Sequence, residues 1–146
     1  MKVILQRVLK SSVEVESQIV GSSQNGFCIL AGISPNDTEQ IITKMAEKIV
    51  NLRVFEDENG KMNRSLIDIQ GSALIVSQFT LLADCSHGRR PSFINAGNPQ
   101  KANELFDLFV EKVKNLGIPV ETGVFGADML VTIYNSGPAT FILESE

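Results

Sequence analysis

The run Gly26-Phe27-Cys28-Ile29-Leu30-Ala31-Gly32 holds seven residues without a charge or an amide side chain. A strand with one face in water alternates apolar and polar residues, and this one does not. It must be covered on both faces, which makes it a central strand of a layered sheet. Residues 72–78 read as a second buried strand. Residues 2–10 read as a strand with Val3, Leu5, Arg7 and Leu9 on one face and Ile4, Gln6 and Val8 on the other. Val13 and Val15 continue the alternation, with Glu14 and Glu16 between them. Ile19 and Val20 lie beyond a polar turn, and residues 22–26 break the chain again. That spacing predicts an antiparallel meander. Residues 120–122, 129–135 and 140–144 read as closing strands.

Two amphipathic helices supply the cover. Asp37 can cap the first, with Gln40 in capping-box position. Ile41, Ile42, Met45, Ala46, Ile49 and Val50 form its stripe, opposite Lys44, Glu47 and Lys48. Asp57-Glu58-Asn59-Gly60 reads as a turn. Asn98-Pro99 opens the second helix, with Asn as cap and Pro at the first position. Its stripe is Ala102, Leu105, Phe106, Phe109, Val110 and Val113, and Gly117 and Pro119 close it. The predicted class is α+β: a mainly antiparallel sheet flanked by two amphipathic helices. A length of 146 residues favours a single domain spanning 1–146.

Charge and composition narrow the function. A net charge of −4 argues against coating nucleic acid by bulk electrostatics, though a local basic patch can still meet one end of an RNA. Cys28 and Cys85 lack CxxC spacing and metal-ligand companions, so both read as free thiols in a reducing cytosol. The opening apolar run is too short for a signal-peptide core, and no stretch approaches the ~20 residues of a membrane span. The chain carries no P-loop, no GxGxxG and no spaced pair of carboxylates. No cofactor or metal is expected, and neither DNA nor a membrane is an expected partner.

Two short segments carry the functional reading: Ser77-Gln78-Phe79-Thr80-Leu81 and Asn135-Ser136-Gly137-Pro138-Ala139-Thr140. They resemble the SQFTL and NxGPxT signatures of the D-aminoacyl-tRNA deacylases. Gln6-Arg7-Val8 is similar to the family's QRV, although Ser11-Ser12-Val13 departs by one small residue from the Ala-Ser-Val that often follows. The segment from Thr122 through Phe125 to Met129 also matches, as does the GxRPSF-like Gly88, Arg90, Pro91, Ser92 and Phe93. The resemblance covers nearly the whole chain. It implies a β-barrel-like core flanked by helices, a cytoplasmic homodimer with a pocket shared across the interface, and the 3′ end of aminoacylated tRNA as partner. It also implies hydrolysis of the D-aminoacyl ester as a proofreading step in translation, glycyl-tRNA mischarged on tRNA(Ala) included.

The same resemblance assigns roles. Phe79 and Thr80 flank the scissile ester as catalytic positions. Ser77, Gln78, Phe125, Met129, Gly137 and Pro138 bind substrate, and Arg7 braces the Gly-Pro segment. In the family the Gly-Pro bond is cis and lines the partner's amino-acid pocket. Gly lets backbone approach a ligand without a Cβ, and Pro lowers the cost of the cis form. Residue types alone leave plainer readings open. Gly137-Pro138 fits a turn, Phe125 and Met129 fit core packing, and Arg7 fits a side chain reaching to solvent.

Thr80 is a nucleophile on paper, but a threonine hydroxyl needs an activating base. The only histidine, His87, lies in a glycine-containing loop with no carboxylate to orient it. Main-chain N–H groups near Phe79 and Thr80 acting as an oxyanion hole, with the neighbouring ribose hydroxyl helping water, are the preferred mechanism. A Thr80 esterase and a non-catalytic nucleic-acid-binding module using Arg89 and Arg90 are the alternatives.

Overall fold

The computed structural model describes residues 1–145. The chain runs β1 (Lys2–Val15), β2 (Gln18–Ser23), β3 (Gly26–Gly32) and helix α1 (Glu39–Asn51). A short hairpin follows, β4 (Phe55–Glu56) and β5 (Met62–Arg64), then β6 (Ser72–Ser77) and a 3-10 turn at Phe79–Leu82. Helix α2 (Pro99–Asn115), β7 (Val120–Thr122) and β8 (Leu130–Glu144) complete the described residues.

The sheet is mixed and nearly closed, not a meander. β1 is antiparallel to β8 along most of its length; its other edge is shared between β3, paired through Val8, and β2, paired from Ser11. β3 is parallel to β6, and β6 to β7. The reason lies in the connections. Antiparallel neighbours need only a tight turn, whereas α1 with its hairpin and then α2 are crossovers that return the chain in the same direction. β2 approaches β7 to narrow the remaining gap, where the Ser22 N–H donates to Glu121 Oε1 at 3.1 Å. The flanking helices and barrel-like sheet agree with the expected class, with parallel pairs added.

The uninterrupted apolar character of β3 follows from two cores. Phe27, Ile29 and Ala31 point to the helices, where they meet Ile42, Met45, Ala46 and Ile49 of α1 and Phe106, Phe109 and Val113 of α2. Cys28 points the other way, into a smaller cluster with Val8, Val13, Leu74 and Val76 inside the barrel. β6 alternates likewise, Ala73 and Ile75 against Leu74 and Val76. Burying each large side chain contributes about 1.5–3 kcal/mol. An exposed pair such as Lys2–Glu144 contributes about 0–1 kcal/mol, so the two cores hold the fold.

Three local expectations need correction. Leu9 does not share the buried face of Val3, Leu5 and Arg7; it is 63% exposed, because the β1–β8 register slips twice between Gln6 and Ser11, and Val8 and Ser11 are buried on either side of it. Asp37 does not cap α1. Thr38 does, accepting from the Ile41 N–H at 3.3 Å, while Asp37 is buried against the Met1 ammonium and accepts from the Ser34 N–H. The last two expected strands are one strand, β8, which carries the Gly-Pro pair within it.

Candidate active site

β6 delivers the Ser77-Gln78-Phe79-Thr80 segment to the rim of the sheet. The Gln78 N–H still pairs with Ala31 of β3 at 2.8 Å, and beyond it the chain tightens into the 3-10 turn. The first N–H groups of such a turn have no partner within it. Among the described residues, no carbonyl or side chain accepts from the Phe79 or Thr80 N–H. The Gln78 side-chain amide donates to the Thr80 hydroxyl, and Phe79 and Thr80 are both exposed.

A cavity of about 510 Å³ opens beside this segment. Ser77, Gln78 and Phe79 form one wall, and Phe125 and Met129 another. Ala96, Gly97, Pro99 and Ala102, from the start of α2 and the loop before it, close a third side. Among the described residues, the polar side chains on the lining are Ser77, Gln78 and Asp128. No histidine, cysteine or lysine reaches it, and His87 is exposed in the loop 84–98. A mainly apolar pocket of this size suits a small organic group. Among the described residues no hydrogen bond joins Ser77 to Asp128, so the lining presents no paired nucleophile and base.

The second motif forms a different feature. Gln6 pairs with Thr140 and Val8 with Asn135, so Arg7 alone faces Ser136, Gly137, Pro138 and Ala139, which bulge out of β8. The Asn135 amide clamps the bulge: its oxygen accepts from the Ala139 N–H at 3.1 Å and its nitrogen donates to Thr140 Oγ1 at 3.0 Å. Beneath it, the 92%-buried Arg7 donates through Nε to the Ser136 carbonyl at 3.1 Å and through Nη1 to the Val54 carbonyl at 2.8 Å. The Gly137–Pro138 peptide is cis, and both residues are exposed. Gly137 has a φ of +125°, and a Cβ there would sit 2.6 Å from Arg7 Nη2.

Of the residues singled out in the sequence, Ser77, Gln78, Phe79, Phe125 and Met129 thus line one cavity, with Thr80 next to it. Gly137 and Pro138 do not line it within the same chain, and Arg7 packs under them. Ala96 and Gly97 were not singled out in the sequence, and Ala102 was read only as part of the α2 stripe; the Asn98-Pro99 cap, which fixes where α2 begins, was the available signal for their place on the cavity. Phe93 gave no functional signal beyond its place in the GxRPSF-like stretch, yet its ring lies against Phe79, centroids 5.2 Å apart.

Two ionisable groups near these elements are perturbed. The Ser86 hydroxyl and backbone N–H hold the Asp84 carboxyl below its ordinary value at the stem of the loop. Burial pushes the Cys28 thiol up to about 11, against a smaller opposing effect of the Ser11 hydroxyl. A thiol so placed is an inert core group.

Comparison with known proteins agrees with the geometry. The family model described as D-Tyr-tRNA(Tyr) deacylase matches residues 4–144. The D-aminoacyl-tRNA deacylase of Fervidobacterium nodosum is 51% identical over 100% of this chain and 98% of its own length. That of Clostridium perfringens is 54% identical over the same shares. A solved structure titled c-Myc DNA Unwinding Element Binding Protein superposes with a TM-score of 0.95 at 41% identity, covering 100% of this chain and 99% of that one. Another, of a probable eukaryotic D-amino acid tRNA deacylase, shares the fold at a TM-score of 0.86 and 17% identity, with 97% of each chain covered. On the full-length match of the family model and on relatives of this similarity, the chain belongs to the D-Tyr-tRNA(Tyr) deacylase family, hydrolases of the aminoacyl-tRNA ester.

Proposed function

We propose that this protein hydrolyses D-aminoacyl-tRNA to free D-amino acid and tRNA, a chiral proofreading step in the cytoplasm, and that it does so without a side-chain nucleophile. The observation that carries the mechanism is the cavity beside Phe79: among the described residues no hydrogen bond pairs its one carboxylate, Asp128, with Ser77, and the adjacent N–H groups of Phe79 and Thr80 have no protein acceptor. Water adds to the ester carbonyl, and those N–H groups stabilise the oxyanion. As the intermediate collapses, the carbon–oxygen bond to the ribose breaks and the ribose oxygen takes a proton. The ribose hydroxyl beside the ester assists the water. An aminoacyl ester is already reactive, so it needs less from the protein than an amide does.

Handedness is assigned to main chain. In this reading two copies associate, and the exposed Gly137–Pro138 bulge of one lies against the α-carbon held in the cavity of the other. An L side chain would point into backbone; a D side chain of any size points away. Glycine offers nothing to exclude, so glycyl-tRNA mischarged on tRNA(Ala) is also a substrate. Arg7 supports this reading by tying Ser136 to Val54, which stiffens the bulge.

The test is single-turnover deacylation of D- and L-tyrosyl-tRNA, with glycyl-tRNA as a third substrate. Removing one oxyanion donor typically costs ~10²–10³ in rate. Thr80→Ala leaves the Thr80 N–H in place and is expected to retain substantial activity, whereas a 2′-deoxy terminal adenosine is cleaved far more slowly. Loss of all turnover in folded Thr80→Ala restores the nucleophile. A nucleic-acid-binding reading has one finding in its favour, the 41%-identical structure titled as a DNA-element-binding protein. Binding of tRNA without release of amino acid in the same assay would establish it.

A further inference from the structure

Phe79 lines the cavity, and the ring of Phe93, outside the lining, packs against it; nothing else in the mechanism uses these two rings. Phe79 and Phe93 lie 5.2 Å apart at an interplanar angle of 55°, with 56% and 41% of their surfaces exposed. A pair that merely hid apolar area would be covered by its surroundings, as Phe27 and Phe109 are. This pair instead presents about half its area to water, next to a ligand-sized cavity. The exposed area is also preformed. The loop bearing Phe93 is closed at its stem by reciprocal hydrogen bonds between Asp84 and Ser92, at 2.8 and 2.9 Å. Beyond Phe93 it turns back through the Ala96 N–H, which donates to the Phe93 carbonyl at 2.9 Å. Ala96 then joins the cavity wall, so the rings and the cavity form one continuous surface.

Charge on the same loop completes the pattern. Arg89 and Arg90 are exposed. The one carboxylate between Ala83 and Asn98 is Asp84, whose oxygen accepts from the Ser86 N–H and hydroxyl. Proteins hold single-stranded nucleic acid by combining rings, on which bases stack, with cations, which meet the phosphates, and residues 84–98 carry both Phe93 and the two arginines.

We propose that Phe79 and Phe93 form a stacking platform for the unpaired base next to the terminal adenosine, with Arg89 and Arg90 meeting the adjoining phosphates. This rests on the reading that the ester at a tRNA 3′ end is the substrate. The terminal nucleoside then enters the cavity with its ester beside Phe79, and the preceding base is left at the mouth, where the rings are. The platform accepts any base, since every base has a π-face, and so adds affinity for a tRNA end without choosing among tRNAs.

The experiment compares the intact 3′ end with one lacking the penultimate base, in D-tyrosyl-tRNA, for wild type, Phe93→Leu and Phe93→Tyr. One stack contributes about five- to a hundredfold in affinity. Wild type is expected to show a KM at least fivefold higher on the abasic substrate, with kcat little changed. Phe93→Leu is expected to raise KM on the intact substrate by a similar factor and to respond little to loss of the base; Phe93→Tyr is expected to keep the wild-type response. Equal sensitivity to the missing base in wild type and Phe93→Leu overturns the proposal, as does a wild type indifferent to it. A wild type that releases no D-tyrosine from intact tRNA overturns the deacylase reading instead, so the two failures are separable. A Phe93→Leu protein whose kcat falls on both substrates with KM unchanged assigns Phe93 to packing and also overturns the platform.

Discussion

Gly137→Ala adds one methyl group at the place where the bulge of β8 meets Arg7. A φ of +125° is one that L side chains rarely adopt, and holding a non-Gly residue in such a conformation costs about 1–3 kcal/mol. The new Cβ would also sit 2.6 Å from Arg7 Nη2. Arg7 cannot simply swing aside, because it is 92% buried and donates to both the Ser136 and Val54 carbonyls. Freeing the space breaks the bond to Ser136, and a hydrogen bond from a charged donor contributes about 1.5–3 kcal/mol. The two effects together predict a loss of about 2.5–6 kcal/mol, measured as the change in unfolding free energy in urea. A double-mutant cycle isolates the second effect. In an Arg7→Ala background the methyl finds empty space, so the two losses fall short of additivity by about 1.5–3 kcal/mol. Additivity within about 0.5 kcal/mol refutes the claim that Arg7 and Gly137 are mechanically coupled. A loss from Gly137→Ala below about 1 kcal/mol refutes the claim that the bulge tolerates only glycine there.

Two further predictions concern buried charge and a buried thiol. Asp37 accepts from the Met1 ammonium at 2.5 Å with both groups at most 2% exposed, so Asp37→Ala strands a buried cation and is expected to cost about 3–5 kcal/mol of stability in urea; a cost below 1 kcal/mol refutes the pairing. Cys28 keeps its proton in the folded state up to about 11, whereas the unfolded thiol loses it near 9. Between those values the unfolded state binds fewer protons, so wild-type stability falls as pH rises through that window. The fall from this one group is about 2–3 kcal/mol, and Cys28→Ala removes it. Parallel pH–stability curves for the two proteins from pH 9 to 11 would count against a protonated Cys28.

Legibility in the sequence followed the range of the interactions. Helix stripes and the Asn98 cap are set within a turn or two of chain, and the buried faces of α1 and α2 are those the apolar periodicity indicated. The doubly buried β3 was legible because no polar residue interrupts it. What depended on distant pairing was not. The parallel pairing of β3 with β6 is decided by which way a crossover returns, and nothing within either strand records it. Asp37 has the residue type of a cap, yet the Met1 ammonium, far away in sequence, claims it, and Thr38 takes the cap. Leu9 looked buried because alternation was extended through a register slip that exists only where β8 bulges opposite Arg7. The site divides in the same way. The two motifs marked the cavity wall and the bulge, while Ala96, Gly97 and Ala102 have no polar signature and reach the cavity only through tertiary placement.

The separation of cavity and bulge explains why the motif around Gly137 contains an amide and a threonine as well as the Gly-Pro pair. An exposed main-chain bulge on an isolated strand would flatten or fray, because its N–H and C=O groups have left the ladder. Here Asn135 accepts from Ala139 and donates to Thr140, Gln6 donates to Thr140 as well at 3.3 Å, and Arg7 donates to the Ser136 carbonyl from below. Arg7 and Asn135 thus hold main chain of the bulge in one shape, at the Ser136 carbonyl and the Ala139 N–H. That is the arrangement expected of a surface whose recognition is steric: it must be stiff, it must lack a Cβ, and it must project. The turn at Phe79 and the projection at Gly137 do not meet on one chain. The proposed function has a second copy bring its projection to the cavity, so the shared pocket belongs to that proposal and not to the fold of a single chain.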